Sequence, residues 1–253
     1  MYGPHYIGSQ NTDPDCVPSY GLQTGAKYAI GKSAVQTNAE NFLARGIPVS
    51  TTDFEGLTAA YTSGPQAAYA VLDGIRAVVQ SGNITGMKST GQTAMFGYSG
   101  GCIAVEWAAE LTSSYANDLY IVGAACGGLP VNSTSGKLAT SGTSNAGLAF
   151  ASTNGLAAAY PAFATCLEKA LVPDKAAAFH NARTTCYPAS MYTNQDFFSY
   201  FIMGKAFLST SCWLDVVNTA AIMGLHANGG PKKFPLVFPL VAVCRISKAN
   251  SCL

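Results

Sequence analysis

The stretch from Thr93 to Leu111, TAMFGYSGGCIAVEWAAEL, decides the fold of this 253-residue chain. Its first six residues have the composition of a buried strand, and the residues after the Gly100-Gly101 pair have that of a helix. Between them lies Gly97-Tyr98-Ser99-Gly100-Gly101, a G-x-S-x-G pattern. Because Gly and Ser are frequent here, the pattern alone is weak evidence. Its position between a strand and a helix gives it weight.

This strand–serine–helix arrangement predicts a nucleophile elbow. In such a turn the serine backbone is strained, so that the Ser99 hydroxyl projects clear of the sheet. Gly97 and Gly101 leave room where strand and helix come close. The backbone N–H of Gly100 points toward the place where an oxyanion would develop, and the helix N-terminus favours negative charge there. The alternative interpretation is a glycine-rich turn with an incidental serine.

Helix-like and strand-like patterns alternate around this motif. Their order predicts an α/β fold with a mostly parallel sheet covered on both faces and right-handed crossovers. A later apolar run is typical of the next core strand. The predicted helices cover 33–45, 64–80 and 101–115, and the predicted strands cover 47–52, 93–98, 119–125 and 234–243.

The composition of the chain changes after residue 132. Residues 132–145 are rich in Ser, Thr and Gly, and an Ala-rich helical pattern then continues to about residue 224, interrupted at Pro161, Pro173 and Pro188. We interpret residues 133–230 as a helical cap inserted over the sheet. Residues 1–132 then form the N-terminal part of the core, and residues 231–253 form a return strand followed by a divergent tail.

Composition narrows the classes of function. Hydrophobic residues make up 49% of the chain, enough for one large domain or a core with a cap. Charged residues make up only 11%, with a net charge of +1, so the basic patch that nucleic-acid binding requires is not expected. The longest apolar run, 234–244, is short and contains two prolines, which argues against a membrane span. The cysteines lack the spacing of metal ligands.

Cysteines and glycosylation sequons favour an extracellular environment. The chain has eight cysteines and two sequons, which begin at Asn83 and Asn132. It starts without the basic and apolar segments of a signal peptide. Cys102 and Cys126 lie in apolar runs, and we interpret them as small buried hydrophobic residues.

Together with the elbow, several stretches resemble the secretory lipase family of fungi, the lipase A-like group of yeasts. They occur in the order and with the spacing of the family, which makes them much more specific than G-x-S-x-G alone. The segment KFP (233–235) is similar to the segment at which the chain of that family re-enters the core sheet after the cap. The stretches are DCVPSY (15–20), TDFEG (52–56), VLDGIRA (71–77) and YIVGAACGGLPV (120–131).

The resemblance implies a secreted triacylglycerol lipase of the α/β-hydrolase fold, with a helical cap over an acyl-binding tunnel. Ser99 would attack an acylglycerol or long-chain ester at a lipid–water interface and form an acyl-enzyme. No cofactor or metal is expected, and the expected state is a monomer. The second oxyanion N–H falls near Gln10, where the family usually has an acidic residue. Matching positions imply a disulfide between Cys16 and Cys186, with two free thiols as the alternative.

The acidic residues before the serine are interpreted as structural. Asp53 and Glu55 match a family motif, but this fold takes its catalytic acid after the nucleophile. We therefore expect them to cap a turn or to form a buried pair. Asp73 and Arg76, in a helix-like run, are interpreted in the same way.

The acid and the base of the triad have no match in this sequence. α/β-hydrolases supply serine, acid and histidine in that order. No Asp or Glu follows Asp215, and the last histidine, His226, precedes the 234–243 strand. We expect that both ends of the family's chain are missing and that this fragment has little activity. Of the three histidines, His5, His180 and His226, the latter two lie in or near the cap. They are weak candidates for the base, because the family places its base elsewhere.

Three functions stay open at this point. The first is a serine carboxylester hydrolase of the lipase family. The second is a non-catalytic relative that holds an acyl chain. The third is another serine hydrolase or an acyltransferase on the same fold, because a fold does not fix a reaction.

Overall fold

The computed structural model describes residues 39–184, 190–224 and 236–237. A helical turn covers residues 39–43, and 3-10 helices cover Asn181–Thr184, Ser190–Tyr192, Phe197–Tyr200 and Gly204–Ser209. The α-helices are α1 (Gly64–Gln80), α2 (Gly82–Thr85), α3 (Gly100–Tyr115), α4 (Ser133–Thr140), α5 (Gly147–Ala159), α6 (Pro161–Ala170), α7 (Pro173–His180) and α8 (Ser211–Ala220). The strands are β1 (Thr93–Tyr98), β2 (Ile121–Gly127) and β3 (Leu236–Val237).

The described strands form one parallel sheet in the order β1-β2-β3. Strand β1 pairs with β2 along its whole length, ending with Tyr98 opposite Gly127. Strand β2 then pairs with β3 through Ala124 and Ala125. Parallel neighbours need a crossover connection, and α3 supplies it between β1 and β2. The predicted α/β class with a mostly parallel sheet is confirmed.

Helices α1 and α3 build the core that supports this sheet. Buried residues of α1 recur at helical spacing, including Ala68, Val71, Leu72 and Ile75, so one stripe of the helix faces inward. They share a hydrophobic cluster with Trp107 of α3 and with residues of both long strands. Because the spacing of apolar residues sets this stripe, the bounds predicted for α1 and β1 agree with the structure.

The helices after residue 132 surround a second hydrophobic cluster. Phe150 of α5 is fully buried, and its ring stacks on Tyr192 with 3.9 Å between centroids. Pro161 and Pro173 each occupy the first position of a helix, where the missing N–H costs nothing. The helical character predicted for this region is therefore present, and its interruptions at these two prolines are helix starts.

A disulfide joins two helices of this second cluster. Cys166 of α6 bonds to Cys212 of α8, a pairing that the sequence did not reveal. Cys102 and Cys126 are buried free thiols, in agreement with their interpretation as small hydrophobic residues. The implied Cys16–Cys186 bond lies outside the described residues and stays a prediction.

The strand predicted over residues 47–52 is wrong. The chain there forms no strand with any described segment. A strand exists only where a neighbouring strand shares its hydrogen bonds, and no described strand lies beside this segment. Of the helix predicted over 33–45, only the part from residue 39 is described, and it ends before Gly46 at φ 71°. Of the 234–243 strand, residues 236–237 are described.

Within the described ranges, every helix is too short or too polar to cross a bilayer.

Candidate active site

Ser99 lies at the junction of β1 and α3 with an unusual backbone. Its φ of 50° and ψ of −115° place it in a region that side chains other than glycine rarely occupy. Its N–H donates to the Gly127 carbonyl at 2.8 Å, and its own carbonyl accepts from Cys102 at 2.9 Å. The backbone therefore belongs to the sheet on one side and to the helix on the other. Strain held by such surroundings is typical of functional residues.

The small residues around Ser99 are required by close packing. A Cβ atom at Gly97 would clash with the backbone of Gly101 and Cys102, so no larger residue fits there. Gly100 is the first residue of α3, where N–H groups have no partner inside the helix. The Ser99 side chain does not cap this helix. The geometry thus combines a serine in a strained turn, a glycine that permits close packing behind it, and the first residue of α3 beside it.

Ser99 opens into a cavity of about 120 Å³ between the core and the helices of the second cluster. Its walls are mostly apolar, as is usual for sites that bind small organic molecules. The described lining residues are Tyr61, Thr62, Ser99, Ile103, Gly128, Pro130, Ser133, Gly136, Lys137, Thr140, Leu148, Ala149, Ser152, Ala221 and Met223.

Lys137 is the functional candidate that the sequence analysis missed. Its side chain is only 2% exposed, and Nζ donates to Oγ of Ser133 and of Ser152, both at 2.8 Å. Nζ also lies 4.6 Å from the centroid of the Trp213 ring. Burial lowers the pKa of the Lys137 amine to about 7. Asn132 caps α4 through Oδ1, and this N-cap was the signal in the sequence for the helix that carries Lys137.

His180 is fixed away from the cavity. Its Nδ1 lies 2.7 Å from Oδ1 of Asn154, and its Nε2 lies 2.8 Å from Oε1 of Glu168. Both ring nitrogens are therefore engaged by residues of the helical region, and His180 does not line the cavity. His5 and His226 lie outside the described residues. Among the described lining residues there is no histidine, aspartate or glutamate.

Two buried carboxyl groups lie on α3 behind the elbow. Burial, and then the charge of Glu110, raise the pKa of Glu106 to about 7. Glu110 accepts a hydrogen bond from the N–H of Gly224, which ties the helix to the chain beyond α8. Neither residue lines the cavity, so both belong to the support of the site.

The other acidic residues have structural contacts. Oδ1 of Asp53 accepts from the N–H of Gly56 at 3.2 Å, which closes a turn, as expected. Arg76 forms ion pairs with Asp73 at 2.7 Å and with Asp118 at 2.8 Å, joining α1 to the loop that follows α3. These neighbours raise the pKa of the Arg76 guanidinium, with Asp118 as the main cause.

The two sequons differ in their surroundings. Asn83 is exposed on α2, whereas Oδ1 of Asn132 accepts from the N–H groups of Thr134 and Ser135. The Asn83 side chain is therefore open to solvent while that of Asn132 caps a helix, and glycosylation at either position stays a prediction. Gln10, implied as the second oxyanion residue, lies outside the described residues and stays a prediction. No group of three metal-ligating side chains occurs within the described ranges.

A parallel sheet whose strand ends in a strained serine at a helix N-terminus defines an α/β-hydrolase architecture. The chain belongs to the secretory lipase family, whose model matches residues 28–225.

Relatives and solved structures agree with this assignment. The chain is 42% identical to Lipase 1 of Candida albicans over 156 residues, which is 59% of this chain and 32% of that protein. It is 35% identical to the trichothecene C-3 esterase of Fusarium sporotrichioides over 234 residues, which is 89% of this chain and 50% of that protein. An X-ray structure of Candida antarctica lipase A superposes with a TM-score of 0.78 at 28% identity, covering 94% of this chain and 56% of that chain. The chain thus spans only 32% and 50% of the lengths of these two curated relatives.

Proposed function

We propose that this chain carries the nucleophile and the acyl-binding region of a secreted carboxylester hydrolase. The observation that carries the proposal is the Ser99 backbone at φ 50°, at the end of a parallel strand and in the lining of a mostly apolar cavity. Membership of the secretory lipase family supports it. Because several relatives are named lipase, we propose acylglycerols and other long-chain esters as substrates, bound at a lipid–water interface. The relative named esterase extends the candidates to esters of larger alcohols.

The proposed reaction is acyl transfer through a covalent intermediate. Oγ of Ser99 attacks the ester carbonyl, the alcohol leaves, and water releases the carboxylic acid. The N–H of Gly100 would donate to the oxyanion, with a second donor near Gln10. The described lining residues include no histidine, aspartate or glutamate, so we assign the activation of the hydroxyl to none of them. We propose no cofactor or metal for this reaction.

A fluorophosphonate probe tests the nucleophile assignment. We expect the probe to modify Ser99 in the full-length form of the protein, and the site to be located by mass spectrometry of peptides. Ser99→Ala should abolish labelling, whereas Ser114→Ala, at an exposed serine of α3, should leave it unchanged. Labelling that persists in Ser99→Ala would show that the nucleophile has been assigned to the wrong residue. A panel of esters and amides of increasing acyl length would then separate a lipase from a peptidase.

A second function, binding of an acyl chain without catalysis, is favoured by one observation. His180 is held by Asn154 and Glu168, and the described lining residues include no histidine, aspartate or glutamate. This function predicts fatty-acid binding that Ser99→Ala leaves unchanged, with no ester turnover in either protein. Turnover that Ser99→Ala removes would exclude it.

A further inference from the structure

The cavity at Ser99 contains a polar cluster that the proposed hydrolase reaction does not use. We define the Lys137 cluster as Lys137, Ser133 and Ser152. All three side chains line the cavity, and the two serine hydroxyls each accept from Nζ at 2.8 Å. Ser133 and Lys137 lie one turn apart on α4, while Ser152 comes from α5. Two separate helices thus place polar atoms at one point of an otherwise mostly apolar wall.

An ammonium group in this place has no counter-ion among the described residues. An isolated buried cation is costly, and proteins usually pair it with a carboxylate. Among the described residues, no carboxylate forms an ion pair with Nζ. Lys137 is also the one residue with a formal charge among the described residues that line the cavity. Two of its three N–H donors are occupied by serines, and Nζ lies 4.6 Å from the Trp213 ring.

The cavity and the Lys137 cluster are complementary to a ligand that has an anionic group at the end of an aliphatic chain. The apolar walls would hold the chain, and a carboxylate would supply the missing counter-charge and an acceptor for Nζ. The lowered pKa of Lys137, caused by burial, agrees with a cation that is unstable until an anion arrives.

We propose that the Lys137 cluster is a carboxylate-binding subsite of the cavity, so that its ligands are medium-chain aliphatic compounds that carry a carboxylate. The inference rests on the proposed function for the identity of the cavity, but it concerns binding and needs no turnover. A carboxylate can come from two sources here. One is a free fatty acid, and the other is an ester whose acyl part ends in a second, ionised carboxyl group.

Calorimetric titration of the whole chain with four probes tests the proposal. Octanoate is compared with 1-octanol, which lacks the charge, and monomethyl suberate is compared with dimethyl suberate. We expect the charged member of at least one pair to bind about tenfold tighter or more, the range for hydrogen bonds to charged groups. A preference within the first pair identifies a free acid as the ligand, and one within the second pair identifies a half-ester. Equal affinities within both pairs would overturn the proposal.

Lys137→Met should remove the preference for the charged probe and leave binding of the neutral probe unchanged. Lys175→Met is the matched control. Lys175 also donates to a serine hydroxyl, that of Ser199, and lies 5.3 Å from the Tyr200 ring, but it does not line the cavity. Lys175→Met should leave the affinities of the charged and the neutral probes unchanged. If Lys137→Met does not fold, the comparison of probes with the unaltered chain still decides, and Lys137→Arg should retain the preference. A preference that survives in folded Lys137→Met would contradict the assignment.

The two experiments fail independently. Absence of fluorophosphonate labelling, with a charge preference that depends on Lys137, would remove the hydrolase proposal and keep the subsite. Labelling of Ser99 with no charge preference would do the reverse.

Discussion

Ser99 shows at the scale of one residue how the elbow is maintained against local preference. A backbone at positive φ costs a residue with a Cβ atom on the order of 1 kcal/mol or more. Hydrogen bonds to β2 and α3 on either side hold Ser99 in this conformation. The cost is retained because the hydroxyl is placed at the cavity, which an unstrained strand end would not achieve.

This strain predicts that two small substitutions at Ser99 differ in stability. Ser99→Gly should have a higher free energy of unfolding than Ser99→Ala by about 1 kcal/mol, because glycine alone accepts φ 50° without strain. In an ordinary helix-start position alanine would be at least as stable as glycine. Urea unfolding of the two variants measures the difference, and equal or reversed stabilities would show that the elbow conformation is not populated in solution.

Lys137 shows which part of the site the sequence could not reveal. G-x-S-x-G is a local pattern, because strand, turn and helix are consecutive, and Ser99 was therefore found from the sequence. The surroundings of the Lys137 amine include Ser152 and Trp213, which lie 15 and 76 residues further along the chain. No spacing rule connects those positions. Its helix was signalled by the Asn132 cap, but a cap does not say which side chain of the helix will be buried.

Among the helices and strands, prediction succeeded where the residues of one segment are enough to determine its bounds. The apolar stripe of α1 and the apolar residues of β1 are properties of single segments, so their bounds could be predicted. The strand expected over 47–52 failed because pairing requires a partner that the segment itself does not encode. The Cys166–Cys212 bond was missed for the same reason, since eight cysteines allow many pairings and composition does not choose among them.

The disulfide between α6 and α8 should stabilise the helical region substantially. The bonded residues are separated by 46 positions, and loop-closure entropy for that length corresponds to about 4 kcal/mol. We expect Cys166→Ala together with Cys212→Ala to lower the free energy of unfolding by that order, as measured by urea denaturation. Each single substitution should cost nearly as much as the pair. Additive effects of the two single substitutions would argue that the bond does not form.

Contact between α5 and the core depends on the absence of one methyl group. A Cβ atom at Gly155 would clash with the backbone of Tyr61, a residue that also lines the cavity. Gly155→Ala should therefore lower the melting temperature, even though alanine is the better helix former by about 1 kcal/mol. Gly136→Ala is the matched control, because a Cβ there meets nothing within 4 Å. That variant should be as stable as the unaltered chain or more stable, and a similar loss in both variants would refute the packing argument.

At the scale of the whole molecule, two buried groups set opposite slopes of stability against pH. The pKa of Lys137 is lowered from 10.5 to about 7, so the unfolded chain binds more protons between those values and stability rises with pH there. The pKa of Glu106 is raised from 4.5 to about 7, so the folded chain binds more protons and stability falls as pH rises through that window. Together, the two contributions favour a minimum in the free energy of unfolding near neutral pH.

Paired variants separate these slopes. Lys137→Met should remove the rise in the free energy of unfolding above neutral pH, and Glu106→Gln should remove the fall below it. Urea denaturation at a series of pH values gives both results, with Lys175→Met as a variant that should follow the unaltered chain. A Glu106→Gln profile that coincides with that of the unaltered chain between pH 4.5 and 7 would contradict the raised pKa.

The position of β3 in the sheet has a consequence for how the molecule is made. Strands β2 and β3 are parallel neighbours, yet their paired residues are separated by the entire helical region. Contacts between such distant parts of a chain form slowly, whereas β1, α3 and β2 are consecutive and can associate first. On a ribosome that adds roughly 5–20 residues per second, the edge of β2 would wait several seconds for its partner. During that interval it is open to intermolecular aggregation, which makes chaperone dependence an expected property of this protein's synthesis.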